Sequence, residues 1–149
     1  MFKRILLPTD GSERSREAAH AALELARMSG GRVLALHIVS PAIPDIAFMG
    51  LGAIGGPVPL DPPPAAPGSR HDPALIAVRR AAHAAGVPVE SAQVVDSRPA
   101  EAIVGFAEAH GCDLIVMSTS RFGGLLSAIA GSTSARVFQG CDLPVLLVH

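Results

Sequence analysis

The sequence predicts an α/β protein of three layers, in which helices cover both faces of a five-stranded parallel sheet. Five short apolar runs alternate along the chain with segments of helical periodicity, and this alternation is typical of parallel sheets. Three of the runs are almost wholly apolar, as expected of strands that are buried on both faces. The length of 149 residues suits a single domain with one core, spanning residues 1–149.

The predicted strands are short and mostly apolar. They are Arg4–Leu7, Val33–Val39, Val89–Val95, Leu114–Met117 and Val145–Val148. Right-handed crossovers leave two strand orders open, 2-1-3-4-5 and 3-2-1-4-5. Both orders contain a point where the winding reverses, and ligands of such sheets bind there, beyond the carboxyl ends of the strands.

The predicted helices are bounded by capping residues, prolines or glycines. They are Ser12–Ser29, Pro73–Ala85, Pro99–His110 and Ser132–Gln139. Ser12 and Asp72 are residue types that accept N–H groups at a helix start. Gly30 and Gly86 are expected to end the first two helices, because glycine readily adopts the left-handed conformation of a C-terminal cap.

The segment Pro41–Pro73 interrupts this alternation. It holds nine of the thirteen prolines and five glycines, and such a composition forms neither helix nor sheet interior. A loop of this length is commonly either a cover over a site or a mobile segment. We predict a flexible Pro/Gly-rich loop at residues 41–73, with an ordered lid as the alternative.

Two loops carry polar residues at the predicted reversal of the sheet. The first is Pro8-Thr9-Asp10-Gly11-Ser12, which follows strand one. The second is Gly131-Ser132-Thr133-Ser134, which puts three hydroxyls beside the free N–H groups of a helix start and so resembles an anion site. Each loop alone is also explained as a helix-capping turn. If strands one and four are neighbours, both loops border one crevice.

The chain resembles the universal stress protein family. The stretches that carry the resemblance are Ile5–Ser12, Leu36–Val39, Pro99–Ile103, Asp113–Met117, Gly131–Val137 and Pro144–Val148. The resemblance covers everything except the Pro-rich loop. The resemblance implies the strand order 3-2-1-4-5, the fold of the adenine-nucleotide alpha-hydrolase-like proteins, and usually a homodimer.

One branch of that family binds ATP through the pattern G-x-x-G-x9-G-[ST]. Here the final pair of the pattern falls on Gly131 and Ser132, which match, whereas Ser118 and Arg121 replace its first two glycines. The resemblance also implies pocket positions at Pro8, Thr9, Asp10, Ile38, Met117, Thr133 and Ser134. The implied ligand is ATP or another adenine nucleotide, and Mg²⁺ would accompany it.

Arg121 decides between two functional hypotheses. If its position requires positive φ, a side chain there costs roughly 1 kcal/mol or more. The guanidinium would either pair with a phosphate or fill the pocket. The first outcome gives a regulatory module that binds an adenine nucleotide. The second outcome, or occupation of the crevice by the Pro-rich loop, gives a stress-response dimerisation or interaction domain that works without nucleotide.

Composition disfavours several other classes of function. The net charge is −1 and no basic block is present, so we expect no nucleic-acid partner. No apolar run approaches the roughly 20 residues of a membrane span, and Ile5-Leu6-Leu7 is too short for a signal peptide, so we expect a cytoplasmic protein without membrane contact. Phosphoryl transfer needs positioned cations. Because Arg121 alone offers one, we expect no enzyme and at most slow ATP hydrolysis.

The histidines and cysteines suggest no metal or redox motif. The six histidines show no metal-ligand spacing, and we expect His37 to be a satisfied core or rim residue and not a ligand. Cys112 and Cys141 each precede a predicted strand. Two buried thiols are expected, with a functional disulfide as the alternative.

The last predicted strand, Val145–Val148, suggests a homodimer. It carries no charge and should lie at an edge of the sheet. A bare apolar edge invites aggregation unless something covers it, and pairing of two identical edges is the simplest cover.

Overall fold

The strands and helices alternate along the chain as predicted. A computed structural model describes residues 1–41, 70–119 and 132–149. The strands are β1 (Arg4–Pro8), β2 (Arg32–Val39), β3 (Val89–Val95), β4 (Leu114–Ser118) and β5 (Val145–Val148). The helices are α1 (Glu13–Ser29), α2 (Pro73–Ala85), α3 (Pro99–Ala109) and α4 (Thr133–Gly140).

The sheet has the order β3-β2-β1-β4-β5, and every neighbouring pair is parallel. This is one of the two orders that the residues left open, and it is the order that the family resemblance implied. In register, Pro8 lies opposite Leu36 of β2, and Leu6 lies opposite Ile115 of β4. The winding reverses between β1 and β4, so a crevice opens beyond their carboxyl ends.

Alternate side chains of β1 enter two separate cores. Ile5 and Leu7 are buried with the inner faces of α1 and α2. Leu6 is buried on the other face of the sheet, with Ile103 of α3 and Val137 of α4. All three β1 side chains have no exposed surface, because a central parallel strand is covered on both faces.

The helix ends confirm most of the predicted caps. The Ser12 side chain accepts the N–H of Ser15, and the Asp72 side chain accepts the N–H of Ala74. Gly30 and Gly86 end α1 and α2 in the left-handed conformation. Helix α2 has the predicted bounds.

Several helix ends differ by one residue from the prediction, including the start of α1 at Glu13 instead of Ser12. Helix α3 stops at Ala109 because His110, with φ of −101° and ψ of 6°, already leaves helical geometry. Helix α4 was predicted to end at Gln139 but includes Gly140, and Cys141 caps it in an extended conformation. Ser132 is the N-cap of α4 and not its first residue.

Three further predictions concern the loop, the thiols and the membrane. The predicted flexible loop falls mainly on residues 42–69, which lie outside the described residues. Cys112 and Cys141 are free thiols that pack in the same core, but only Cys112 is buried as predicted, whereas Cys141 is partly exposed. Burial raises the pKa of the Cys112 thiol. Within the described ranges, none of the helices combines the length and the apolar character needed to cross a membrane.

Candidate functional site

A cleft of about 630 Å³ lies at the carboxyl ends of β1, β2 and β4. Of the predicted site residues, those that the structure describes all line it: Pro8, Thr9, Asp10, Ile38, Met117, Ser118, Ser132, Thr133 and Ser134. Arg121 and Gly131 lie outside the described residues. The two loops that were predicted to border one crevice therefore do so.

The first loop is held in shape by its own hydrogen bonds. The N–H of Ser12 donates to Asp10 Oδ1 at 2.9 Å, which forms a tight turn before α1. The buried hydroxyl of Thr9 donates to Ser15 Oγ at 3.1 Å, and Ser15 Oγ donates to the Ser12 carbonyl at 2.8 Å. The backbone N–H of Thr9 donates to the Leu36 carbonyl at 2.8 Å, which anchors the loop to β2. These bonds hold the Asp10 carboxylate at the wall of the cleft.

Asp10 is an exposed carboxylate whose charge is stabilised locally. Its partial burial alone would raise the pKa, but hydrogen bonds from the side chain and backbone of Ser12 outweigh that effect, with a smaller contribution from Ser15. The pKa of Asp10 therefore lies below its ordinary value. At neutral pH the group is an acceptor for hydroxyl or amine donors of a ligand.

The start of α4 forms the opposite wall. Ser132 Oγ accepts the N–H of Ala135 at 3.2 Å and lies 3.1 Å from Ser134 Oγ. The backbone N–H groups of Thr133 and Ser134 have no hydrogen-bond partner within the described ranges. Two donors at the positive end of a helix, flanked by small hydroxyl side chains, favour an anionic group.

The floor of the cleft is apolar. Leu36, Ile38, Ile103 and Met117 supply apolar surface suited to a flat ring. The sequence prediction had included two of these residues and missed Leu36 and Ile103. Both can be recognised as cleft residues only when the order of the strands is known, because that order brings β2 and α3 to the same edge of the sheet.

Charged residues at the start of α1 were also missed. Glu13 and Arg14, in its first turn, line the cleft beside Asp10. The helical periodicity predicted the first turn of α1 but could not show which of its side chains face the cleft. Arg14 supplies a permanent positive charge to a wall that otherwise carries two carboxylates.

His37 also lines the cleft, and a buried carboxylate holds its ring. His37 Nδ1 donates to Asp72 Oδ2 at 2.5 Å, and Gln93 Nε2 donates to the same oxygen at 2.9 Å. The other oxygen, Asp72 Oδ1, accepts the N–H of Ala74 at 2.9 Å. The expectation that His37 is a satisfied rim residue agrees with this contact, whereas Asp72 was predicted only to cap a helix.

Asp72 keeps its charge despite being 2% exposed. Burial raises its pKa, but the hydrogen bond and charge of His37, together with the N–H groups of Ala74 and Leu75, lower it by more. The pKa of Asp72 therefore lies below its ordinary value. An ionised carboxylate only accepts hydrogen bonds, so the proton shared with His37 belongs to Nδ1.

The described residues of this cleft show no concentration of metal ligands. Where the structure describes the chain, no group of three or more histidine, cysteine or acidic side chains could hold a metal ion.

Comparison with known proteins identifies relatives over the full length of the chain. The sequence model of the universal stress protein family matches residues 1–149. A universal stress protein of Thermus aquaticus is 37% identical over 149 residues, which is 100% of both chains.

Two solved structures share the fold. A universal stress protein in complex with cAMP superposes with a TM-score of 0.70 at 23% identity, covering 99% of this chain and 97% of that one. The universal stress protein from Archaeoglobus fulgidus in complex with dAMP superposes with a TM-score of 0.66 at 19% identity, covering 100% of this chain and 98% of that one.

Proposed function

The chain belongs to the universal stress protein family, and on that premise we propose that it is a regulatory module that binds an adenine nucleotide in the cleft between β1 and β4. The observation that carries the proposal is the convergence of the predicted pocket residues. One cleft of about 630 Å³ is lined by residues of β1, β2, β4 and the start of α4. In the sequence these residues extend from Pro8 to Ser134. A volume of this size suits a ligand as large as a nucleotide.

The apolar floor is the proposed site of the adenine ring. Ile38, Met117 and Ile103 offer a surface against which a flat ring can pack. Asp10 is exposed on the adjoining wall, and its carboxylate would accept hydrogen bonds from ribose hydroxyls. Related structures with bound cAMP and dAMP support adenine nucleotides as the ligand class.

The start of α4 is the proposed site of the phosphate. The N–H groups of Thr133 and Ser134, which have no partner among the described residues, would supply donors, and the helix dipole would add a partial positive charge. Arg14 lies on the same cleft and would add a charge-assisted hydrogen bond. In this proposal Mg²⁺ arrives with a polyphosphate such as ATP, because the described residues present no cluster of metal ligands of their own.

The proposal is a binding function, with no catalytic residue. Nucleotide occupancy would change how the protein interacts with a partner, and hydrolysis is not required for this. We also propose that the partner includes a second copy of the chain, joined along β5. That strand is at the edge of the sheet, and its Leu146 is 39% exposed.

Calorimetric titration tests the binding proposal. ATP with Mg²⁺, AMP and cAMP are titrated into the wild type, Asp10→Ala and the control Asp142→Ala, which alters an exposed carboxylate between α4 and β5. We expect saturable binding to the wild type and the control. We expect Asp10→Ala to bind roughly tenfold or more weakly, because it loses charge-assisted hydrogen bonds. No heat from the wild type at millimolar nucleotide would contradict the proposal.

Arg121→Gly tests the competing hypothesis of a domain that works without nucleotide. If Arg121 fills the cleft, the wild type binds nothing and the variant gains binding. If Arg121 pairs with a phosphate, the variant binds ATP more weakly than the wild type. The two hypotheses therefore predict changes of opposite sign in the same titration.

A further inference from the structure

The pair His37–Asp72 is a polar contact between two elements that lie beside the cleft. His37 is near the carboxyl end of β2, and Asp72 is the N-cap of α2. The carboxylate is 2% exposed, whereas the His37 side chain is 23% exposed. The ring therefore joins a buried charge to the surface of the cleft.

Every hydrogen bond of Asp72 serves to hold its carboxylate in one orientation. Oδ1 accepts the N–H of Ala74, and Oδ2 accepts from both Gln93 and His37. Gln93 lies directly opposite His37 in the register of β2 and β3, so the sheet itself positions the amide. With the carboxylate held from two sides, the imidazole ring has one favoured orientation.

This arrangement determines which nitrogen of His37 is available to a ligand. Nδ1 is committed to Asp72, so the remaining nitrogen is Nε2. Nε2 has no hydrogen-bond partner among the residues that the structure describes. In the neutral ring Nε2 is an acceptor, and in the protonated ring it is a donor with a positive charge beside it.

We propose that His37 is a ligand-contacting residue that takes up a proton when an anionic nucleotide binds, with Nε2–H donating to the phosphate, and that Asp72 is its positioning residue. This inference rests on the proposed nucleotide site. Asp72 supplies the opposite charge that stabilises the imidazolium on one side, and the phosphate supplies it on the other. Nucleotide affinity is therefore expected to rise as the pH falls and His37 becomes protonated.

The groups around His37 are consistent with this role. Asp72 faces the ring from α2, and the neutral Gln93 faces it from β3. Asp10 in the β1–α1 loop and Glu13 in α1 carry negative charge on the same cleft, and Arg14 carries positive charge. Among the described residues, these are the charged groups that contact the ring or share its cleft.

The test is titration of cAMP between about pH 5.5 and about pH 8, the range in which histidine side chains change charge. cAMP is chosen because its phosphodiester keeps one charge throughout, whereas a monophosphate takes up its own second proton near pH 6. Each titration is repeated in buffers of different ionisation enthalpy, which reports the number of protons taken up. We expect affinity to be roughly tenfold higher at the acidic end, with proton uptake at intermediate pH. Neutral adenosine should show no such gain.

Two substitutions separate the ligand contact from the structural contact. His37→Asn keeps a donor near the position of Nδ1 and removes Nε2, while His37→Gln places a neutral donor near the position of Nε2. Both should lose the pH dependence of cAMP affinity, and His37→Asn should bind cAMP more weakly than His37→Gln. The control His83→Gln alters an exposed histidine at the end of α2 and should keep the wild-type profile. Asp72→Asn should flatten the profile, because it removes the charge that stabilises the imidazolium.

The outcomes distinguish this inference from the proposed function. If the wild type binds cAMP with the same affinity and no proton uptake across the range, His37 is only a structural contact and the inference is wrong, while the nucleotide site stands. Affinity that falls on acidification would also overturn it, because Nε2 would then act as an acceptor. If the wild type binds no nucleotide at any pH, the proposed function itself fails.

Discussion

Gly11 and Ala74 meet where the loop after β1 touches the first turn of α2. A Cβ atom on Gly11 would lie 3.1 Å from Ala74 Cβ, which is tighter than ordinary van der Waals contact, and 3.4 Å from Ala74 Cα. Gly11 also has φ of +79°, a backbone conformation that is strained for any residue with a side chain. The loop that carries Asp10 is therefore packed against the helix that carries Asp72.

We predict that Gly11→Ala destabilises the protein by about 2 kcal/mol, since it adds a steric contact to the roughly 1 kcal/mol or more of left-handed strain. The matched control is Gly86→Ala. Gly86 has a similar φ of +66° but no atom within 4 Å of the added Cβ, so the control measures strain alone. The free energies of unfolding are compared by urea denaturation. Equal losses in the two variants would show that the Ala74 contact is not tight.

Asp72→Ala is predicted to lower the free energy of unfolding by about 3 kcal/mol, because it leaves His37, Gln93 and the Ala74 N–H without their acceptor. Asp72→Asn keeps an acceptor oxygen and should lose less. The control Asp142→Asn removes an exposed carboxylate and should stay within about 0.5 kcal/mol of the wild type.

The same carboxylate gives a pH dependence with a definite sign. The pKa of Asp72 is lower in the folded protein than its ordinary value, so its ionisation stabilises the fold above the unfolded pKa of about 4. That contribution is lost as the pH falls from about 4 through the folded pKa. We therefore predict that the difference in unfolding free energy between wild type and Asp72→Asn shrinks in this acidic range. A constant difference would contradict the lowered pKa.

Thr133→Pro is predicted to weaken phosphate-bearing ligands without harming the helix. Thr133 is the first residue of α4, where proline is tolerated, and Ser132 has φ of −78° and ψ of 153°, which suit the residue before proline. The substitution removes one N–H donor from the proposed phosphate site. cAMP affinity should fall several-fold, while adenosine affinity and the melting temperature should change little. Equal weakening of both ligands would place the phosphate elsewhere.

Leu146→Lys is predicted to prevent dimer formation. Leu146 is exposed on the edge strand β5. If two copies paired along this strand, a lysine at this position would be buried in the interface and would lose the hydration of its charge. The control is Met28→Lys, which replaces a residue that is 78% exposed on α1. Light scattering with size-exclusion chromatography measures the mass of each. A wild type that is monomeric at all concentrations would contradict the β5 dimer.

The helix bounds and strand positions followed from local signals in the sequence. Proline at the first position and glycine after the last turn gave α2 its bounds, because both residues act through backbone geometry that does not depend on the rest of the fold. The order of the strands did not follow from the residues alone. Right-handed crossovers permit two orders, and the family resemblance implied the one that the structure has.

The pairing of His37 with Asp72 could not be predicted from the sequence. The two residues are 35 positions apart, and their contact depends on the register of β2 against β3 and on the exact start of α2. Periodicity places a residue on a face of a strand or helix but does not say which side chains of different elements meet. The same limit explains why Leu36 and Ile103 were missed in the cleft. Where Arg121 lies relative to the proposed phosphate site is still a prediction, since it falls outside the described residues.

The central claim, that an adenine nucleotide occupies this cleft, is tested most directly by residue-resolved NMR during a cAMP titration. We predict that the amide signals that shift most belong to both walls and the floor, at Thr9, Ile38, Ser118 and Thr133. Amides on the far faces of α1 and α2 should be unaffected. Saturable shifts confined to the edge strand β5, or the absence of any shift at millimolar cAMP, would contradict the claim.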